Sequence, residues 1–190
     1  MSGAEAKAEL RRELRERRAR RGQADLDAVA YALAEHAASL PGGCVAGFIG
    51  VRAEPPTLVL LDALASRGVR VLLPRLRDDM DLDWAVYEGA DALRTARLGL
   101  MEPAGPGLDR EAVAEAELVL APALAVDRGG RRIGQGGGSY DRALPRAEAP
   151  VIAIVFDDEV LDAVPAEPHD RLVDGVLTPG GGLVRFTTPG

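Results

Sequence analysis

The chain has 190 residues, 47% of them hydrophobic, with a formal net charge of −7 and a single cysteine, Cys44. This length suits one domain, residues 1–190, with a hydrophobic core, and a lone cysteine excludes an internal disulfide or a cysteine-built zinc cluster, so any metal chemistry must use carboxylates. The acidic balance argues against broad affinity for nucleic acid, whose phosphates attract basic surfaces.

The first predicted element spans residues 4–21, a helix rich in Ala, Leu, Glu and Arg. It holds eight basic side chains against four glutamates, a local net of +4 that leaves −11 for the rest. Leu10 and Leu14 form a narrow apolar stripe, and Lys7 and Arg11 lie one turn apart on another face. Lys7 and Arg11, with Arg15 one turn further on, can act as a phosphate-contacting row, or the face can be solvated and paired with Glu9 and Glu13. The amino-terminal stretch lacks the apolar run and cleavage site of a secretory signal, and nowhere does an apolar run reach the roughly 18 residues of a membrane span. A cytoplasmic location without membrane association is expected.

A second helix is expected over residues 25–39, capped by Asp25, with apolar residues at helical spacing and Pro41-Gly42-Gly43 as its stop. Short apolar runs then alternate with amphipathic segments. Val45 to Ile49, Val69 to Leu73, Leu118 to Ala121 and Val151 to Phe156 read as buried strands; Thr57 to Ser66 and Arg110 to Ala116 read as crossover helices. Leu82 to Tyr87 alternates apolar and polar residues, as a half-exposed antiparallel strand does. The pattern predicts an α/β fold, a three-layer α/β/α sandwich around a mixed, mainly parallel sheet, with ligands at the carboxyl ends of the strands.

The loops at those ends carry the chemistry. The segment from Asp127 to Arg142 contains Arg131-Arg132, then Gly134-Gln135-Gly136-Gly137-Gly138, then Ser139-Tyr140-Asp141. Glycines let backbone N–H groups approach an anion, and Ser139 can cap a helix whose amino terminus favours one. It is neither a Walker A loop nor a Rossmann fingerprint, and a flexible surface loop ending in a helix cap is the plain alternative. Glu54 is a lone acid after the first strand, suited to a ligand or to a rim ion pair with Arg52. His169, Asp170 and Asp174 offer hard ligands that suit Mg²⁺ held with substrate phosphates, although a single histidine is commonly structural.

Taken together these residues resemble the 5-formyltetrahydrofolate cyclo-ligase family, also called methenyltetrahydrofolate synthetase. The resemblance runs over nearly the whole chain: Lys7-x-x-x-Arg11, Glu54-x-x-Thr57, Val71 to Arg75, Met80, Gly99 to Pro103, the string from Asp127 through Arg132-Ile133-Gly134-x-Gly136-x-Gly138-x-Tyr140-Asp141-Arg142, Pro168-His169-Asp170, and Asp174. It implies a fold like that of sugar-phosphate isomerases and CoA transferases, with ATP as co-substrate and Mg²⁺ as cofactor. The implied reaction closes 5-formyltetrahydrofolate to 5,10-methenyltetrahydrofolate through an iminophosphate, with release of ADP and phosphate.

Carried over by position, Arg132 and Tyr140 are the implied catalytic residues. Lys7, Arg11, Arg132, Gly134, Gln135, Gly136, Gly137, Gly138, Ser139 and Tyr140 would bind nucleotide, and Asp141 and Asp174 would hold Mg²⁺. Glu54, Met80 and Trp84 would meet the folate, although Trp84 also suits a half-buried core position. Reduced folate and ATP are the expected partners, with no nucleic acid, no membrane and a monomeric chain. Three departures stand out: Ser139 replaces a second tyrosine, Pro55-Pro56 follows Glu54, and Val126 replaces a common phenylalanine. Two other readings stay open: a sugar-phosphate enzyme of the same fold without folate, and a catalytically silent nucleotide- or RNA-binding module.

Overall fold

The computed structural model describes residues 3–167 and 170–186. Two helices lead, α1 (Gly3–Ala19) and α2 (Gln23–Glu35), followed by β1 (Cys44–Ala46), α3 (Leu58–Ser66), β2 (Arg70–Leu76) and β3 (Leu82–Val86). A small hairpin, β4 (Leu93–Thr95) and β5 (Met101–Pro103), precedes β6 (Leu118–Pro122), β7 (Ala125–Asp127) and β8 (Arg132–Ile133). The chain closes with α4 (Ser139–Ala143), β9 (Val151–Ile154), β10 (Val160–Leu161), β11 (Gly175–Thr178) and β12 (Gly182–Arg185).

The main sheet has seven strands in the order β12-β11-β9-β6-β1-β2-β3. Its five inner strands are parallel, while β3 and β12 run antiparallel at the edges. The mixed, mainly parallel sheet read from the sequence is therefore present, and the alternating Leu82–Val86 segment is its antiparallel edge. Inner strands are apolar at consecutive positions because both faces are covered. Val45, Val71, Leu118, Ile152 and Leu177 point to one core with Leu33 of α2 and Leu60, Leu61 and Leu64 of α3. Ala46, Leu72, Val119, Ala153 and Val176 point to the other, against Ala112, Val113, Ala143 and Leu144. Leu60, Leu61 and Leu64 are fully buried, each contributing roughly 1.5–3 kcal/mol by leaving water.

Helix α1 lies elsewhere. Leu14 packs with Leu124, Ala125, Ile133 and Val164, so the helix covers the small sheet β10-β7-β8. Its far end is fixed by Arg18, whose guanidinium donates to both carboxylate oxygens of Glu159 at 2.7 Å and to the carbonyl of Ala123 at 2.7 Å. Both partners are almost fully buried, and Phe156 lies under the Arg18 and Arg21 guanidiniums at 5.4 and 3.8 Å.

Some local expectations need correction. Asp25 is not the cap of α2: Gly22 is, and the Asp25 carboxylate accepts the Gly22 N–H at 3.3 Å. The helix ends at Glu35, with a 3₁₀ turn over His36–Ser39. The segment expected as a crossover helix from Arg110 is a 3₁₀ turn, Glu111–Glu115, begun by two N–H groups donating to the Asp109 carboxylate. Among the described residues no helix is long and apolar enough to cross a membrane.

Candidate active site

The carboxyl ends of β1, β2 and β6 open into a cleft of about 470 Å³. Phe48 and Ile49 follow β1, Pro74 and Leu76 belong to β2, and Pro122 and Ala123 end β6. Together with Met80, Leu82, Leu98, Leu100 and Met101 they make one half of the wall apolar. The other half is Lys7 and Arg11 of α1, Arg132, the glycine loop, Asp141, Glu167 and Asp170. A charged, glycine-lined wall, with three cations set among three carboxylates, thus meets an apolar wall in one cleft.

The glycine loop connects β8 to α4. Gly136 and Gly138 have φ of 102° and 71°, a left-handed region that strains any side chain. Gly138 is the residue capping α4; Ser139, expected to cap it, is the first residue inside. From the other side α1 is stitched to the loop: Arg11 Nε donates to the Gly134 carbonyl at 3.0 Å, and Arg15 donates to the Gln135 carbonyl at 2.6 Å and to its side-chain oxygen at 3.1 Å. Arg15 therefore faces the loop, as its place on the helix row suggested.

Arg132 is buried on β8, with its guanidinium donating to the Arg171 carbonyl and, at 2.5 Å, to Asp141 Oδ1. Asp141 is half-exposed in the first turn of α4. Lys7 is also buried, and its Nζ donates to Glu167 at 2.8 Å and Asp170 at 2.5 Å. Burial disfavours its ammonium form, but the Asp170 and Glu167 carboxylates outweigh that effect and hold the pKa above the ordinary lysine value.

Glu54 and Tyr140 both line the cleft. Glu54 is presented by a tight turn in which its carboxylate accepts the Val51 N–H at 3.1 Å and its own N–H donates to the Val51 carbonyl at 3.1 Å. Thr57 ties down that loop by donating to the Phe48 carbonyl and accepting the Gly50 N–H at 3.0 Å. Gln135 Nε2 reaches Glu54 at 3.4 Å. The Tyr140 hydroxyl is shut off from solvent without a hydrogen-bond partner among the described residues. Burial first, and then the nearby Glu54 charge, push its pKa far above the tyrosine range, so it remains a proton donor.

Of the residues singled out in the sequence, Lys7, Arg11, Glu54, Met80, Arg132, Gly134 to Gly138, Ser139, Tyr140 and Asp141 all line this cleft. Two do not. Trp84 is fully buried in the core beneath β3, with Ala112 and Val113 in the same cluster, and does not reach the cleft. Asp174 precedes β11 at the amino edge of the parallel strands, where its carboxylate accepts the Val151 N–H at 2.7 Å at the start of β9. It caps the sheet and does not join Asp141; among the described residues no three metal-ligating side chains converge. His169 lies outside the described residues.

Glu167 was not anticipated, because an isolated acid in a proline-rich loop carries no spacing signal. Leu98 was missed too: it lies in the three-residue 3₁₀ turn Arg97–Gly99 between β4 and β5, too short to show a period, and Leu100, within the Gly99 to Pro103 segment, was given no site role. Asp170 was noted, but its pairing with Lys7 across 163 residues of sequence has no local trace.

A sequence profile of the 5-formyltetrahydrofolate cyclo-ligase family matches residues 3–179. The 5-formyltetrahydrofolate cyclo-ligase of Mycolicibacterium smegmatis is 47% identical over 152 residues, covering 76% of this chain and 78% of that protein. The Escherichia coli protein of the same name is 29% identical over 140 residues, covering 71% and 77%. Among solved structures, 5,10-methenyltetrahydrofolate synthetase of Aquifex aeolicus superposes with a TM-score of 0.80 at 22% identity, covering 97% of this chain and 94% of that one. A synthetase from Mycoplasma pneumoniae gives 0.69 at 17% identity, covering 90% and 96%; at these identities both speak for the fold. The profile match and the 47% identical relative establish that this chain belongs to the 5-formyltetrahydrofolate cyclo-ligase family.

Proposed function

We propose that this protein uses ATP and Mg²⁺ to close 5-formyltetrahydrofolate to 5,10-methenyltetrahydrofolate, releasing ADP and phosphate. The observation that carries the reading is one cleft in which Lys7, Arg11, Arg132 and a glycine loop stand with carboxylates beside an apolar wall, in a chain of this family. Neither the folate-free sugar-phosphate reading nor the silent binding module has a feature here that favours it over this one. The family match over residues 3–179 supports taking the chain as one catalytic domain.

An amide-like formyl oxygen is a poor leaving group, and phosphorylation makes it a good one. In the proposed reaction that oxygen attacks the γ-phosphorus of ATP, the bond to the bridging oxygen breaks, and ADP leaves. The 10-nitrogen then adds to the activated carbon of the iminophosphate, gives up its proton to the departing phosphate, and the carbon–oxygen bond breaks to leave the methenyl ring. Reactions of this kind rest on positioning and charge neutralisation. Lys7 and Arg11 are assigned to phosphates, Arg132 to the transferring group, and the loop from Gly134 through Ser139 to the nucleotide. Tyr140 keeps the catalytic role that the resemblance implies, which requires its enclosed hydroxyl to be uncovered when substrate is seated; Glu54 meets polar edges of the folate, and Met80 its rings.

Lys7 is held by Glu167 and Asp170, so a bound phosphate would compete with those carboxylates for the ammonium. One carboxylate, half-exposed Asp141 on the glycine-loop wall, would be available to Mg²⁺, which takes one or two carboxylates and completes its shell with phosphate oxygens and water; the ion would share Asp141 with Arg132. The ion would supply charge neutralisation at the phosphates. Asp174 is given no part in this.

The test mixes purified protein with 5-formyltetrahydrofolate and MgATP and follows the near-ultraviolet absorbance of the methenyl product. Product is expected only when ATP and Mg²⁺ are both present. Absence of product under full conditions, with the protein folded, would defeat the reading.

A further inference from the structure

Met80 has a left-handed backbone, φ 63°, which costs a side chain-bearing residue free energy. It lines the cleft, and its methyl group lies over the glycine loop: a Cβ built on Gly137 would sit 3.7 Å from Met80 Cε. Met80 therefore reaches from the apolar wall to the phosphate wall.

Both residues flanking it are carboxylates, and both are held by Arg110. Its guanidinium donates to Asp79 Oδ2 at 2.6 Å and to Asp81 Oδ2 at 2.9 Å. Asp81 is buried, and its second oxygen accepts from Arg146 at 2.6 Å and from the Leu82 N–H at 2.8 Å. Arg146 also donates to the Arg110 carbonyl at 3.2 Å. The turn is closed underneath by the Met80 N–H to the Arg77 carbonyl at 3.1 Å and the Arg77 N–H to the Asp81 carbonyl at 3.0 Å. Arg146 ends the 3₁₀ turn that continues α4, the helix that begins at the glycine loop and carries Tyr140 and Asp141. The clamp thus ties the Met80 turn to the element bearing the opposite wall.

We propose that Arg110, backed by Arg146, is a positioning residue: by gripping the carboxylates on either side of Met80 it fixes that strained residue against the glycine loop at Gly137 and so sets the contour of the cleft wall on which the substrate is seated. A bidentate guanidinium suits this task because it holds two acceptors in one plane. Arg110 itself does not line the cleft. That this wall seats the reduced folate rests on the cyclo-ligase reading above; that Arg110 fixes Met80 does not.

Two measurements separate the claims. The chain has three methionines, Met1, Met80 and Met101, so ¹³C-methyl methionine NMR gives few signals, and a Met80→Leu variant assigns the one that matters. In Arg110→Gln the Met80 methyl signal is expected to broaden or move toward its random-coil position while Met101 stays put. An unchanged Met80 signal would overturn the proposal whatever the enzyme turns over. In kinetics, Arg110→Gln is expected to raise the KM for 5-formyltetrahydrofolate about tenfold with little change in the KM for ATP. In a Met80→Ala background the same change is expected to add less than about twofold, because contacting residues are not additive. Equal effects in both backgrounds, or equal shifts in both KM values, would overturn it. Should wild type not turn over 5-formyltetrahydrofolate, the substrate reading falls and the NMR result alone decides the clamp. If Arg110→Gln fails to fold, Asp79→Asn releases the exposed jaw of the same clamp and is expected to loosen the same methyl signal.

Discussion

Arg132 is a buried guanidinium with one side spent on a main-chain carbonyl and the other on Asp141. Its fixed fork cannot be reproduced by an ammonium. Arg132→Ala, and more mildly Arg132→Lys, is expected to lower kcat by about 10²–10³-fold, the usual cost of removing a preorganised charge donor. Circular dichroism should remain that of the folded protein, because Asp141 is half-exposed and tolerates losing its partner. Near wild-type kcat in the alanine variant would remove Arg132 from the site. At this scale much of the site was legible: the spacing of Arg132, the glycines, Tyr140 and Asp141 survives as a contiguous wall. Trp84 was misplaced because alternation reveals a period and not which face is covered by other elements. Asp174 was misplaced because a motif gives residue order but not the end of the strand on which a residue falls.

Among the elements, α1 shows how a remote contact can govern ligand affinity. The helix presents Lys7, Arg11 and Arg15 toward the cleft and the loop, yet its anchoring lies at the opposite end, in the buried Arg18–Glu159 pair. Breaking a buried pair by removing one partner typically costs about 3–5 kcal/mol, since the remaining charge is stranded. Glu159→Gln is expected to reduce stability on that order in urea denaturation and to raise the KM for ATP more than that for folate. A variant as stable as wild type would show that α1 is held by its apolar stripe alone. The four long apolar runs were readable as strands because both faces of those segments are buried. By contrast β4, β5, β7, β8 and β10 are two or three residues long. Their pairing is decided by tertiary contacts, and no period can develop in so few residues.

For the molecule as a whole, acid is the expected weak point. The Asp81 carboxyl pKa is lowered from 3.8: burial alone would raise it, but the Arg146 hydrogen bond, the Leu82 N–H and the Arg146 and Arg110 charges prevail. A carboxyl whose folded pKa is depressed adds stability that is complete well above the unfolded value and is lost as pH falls from that value through the lower folded one. Urea midpoints should therefore hold at neutral pH and decline once pH approaches 3.8. Asp81→Asn should be less stable at neutral pH and lose less on acidification; a parallel decline in both proteins would exclude Asp81 as the cause.

The docking of α1 has a consequence for how the chain is made. Arg18 meets Glu159 across 141 positions, and Lys7 meets Glu167 and Asp170 across 160 and 163. At a synthesis rate of about 5–20 residues per second, Arg18 leaves the ribosome roughly seven to thirty seconds before its partner exists. During that interval a helix with a net positive charge and an exposed leucine stripe stands beside the anionic ribosomal surface with no carboxylates to receive it. Helix α1 thus waits for partners made 141 to 163 residues later, and the cleft it walls is complete only once residue 170 has been added.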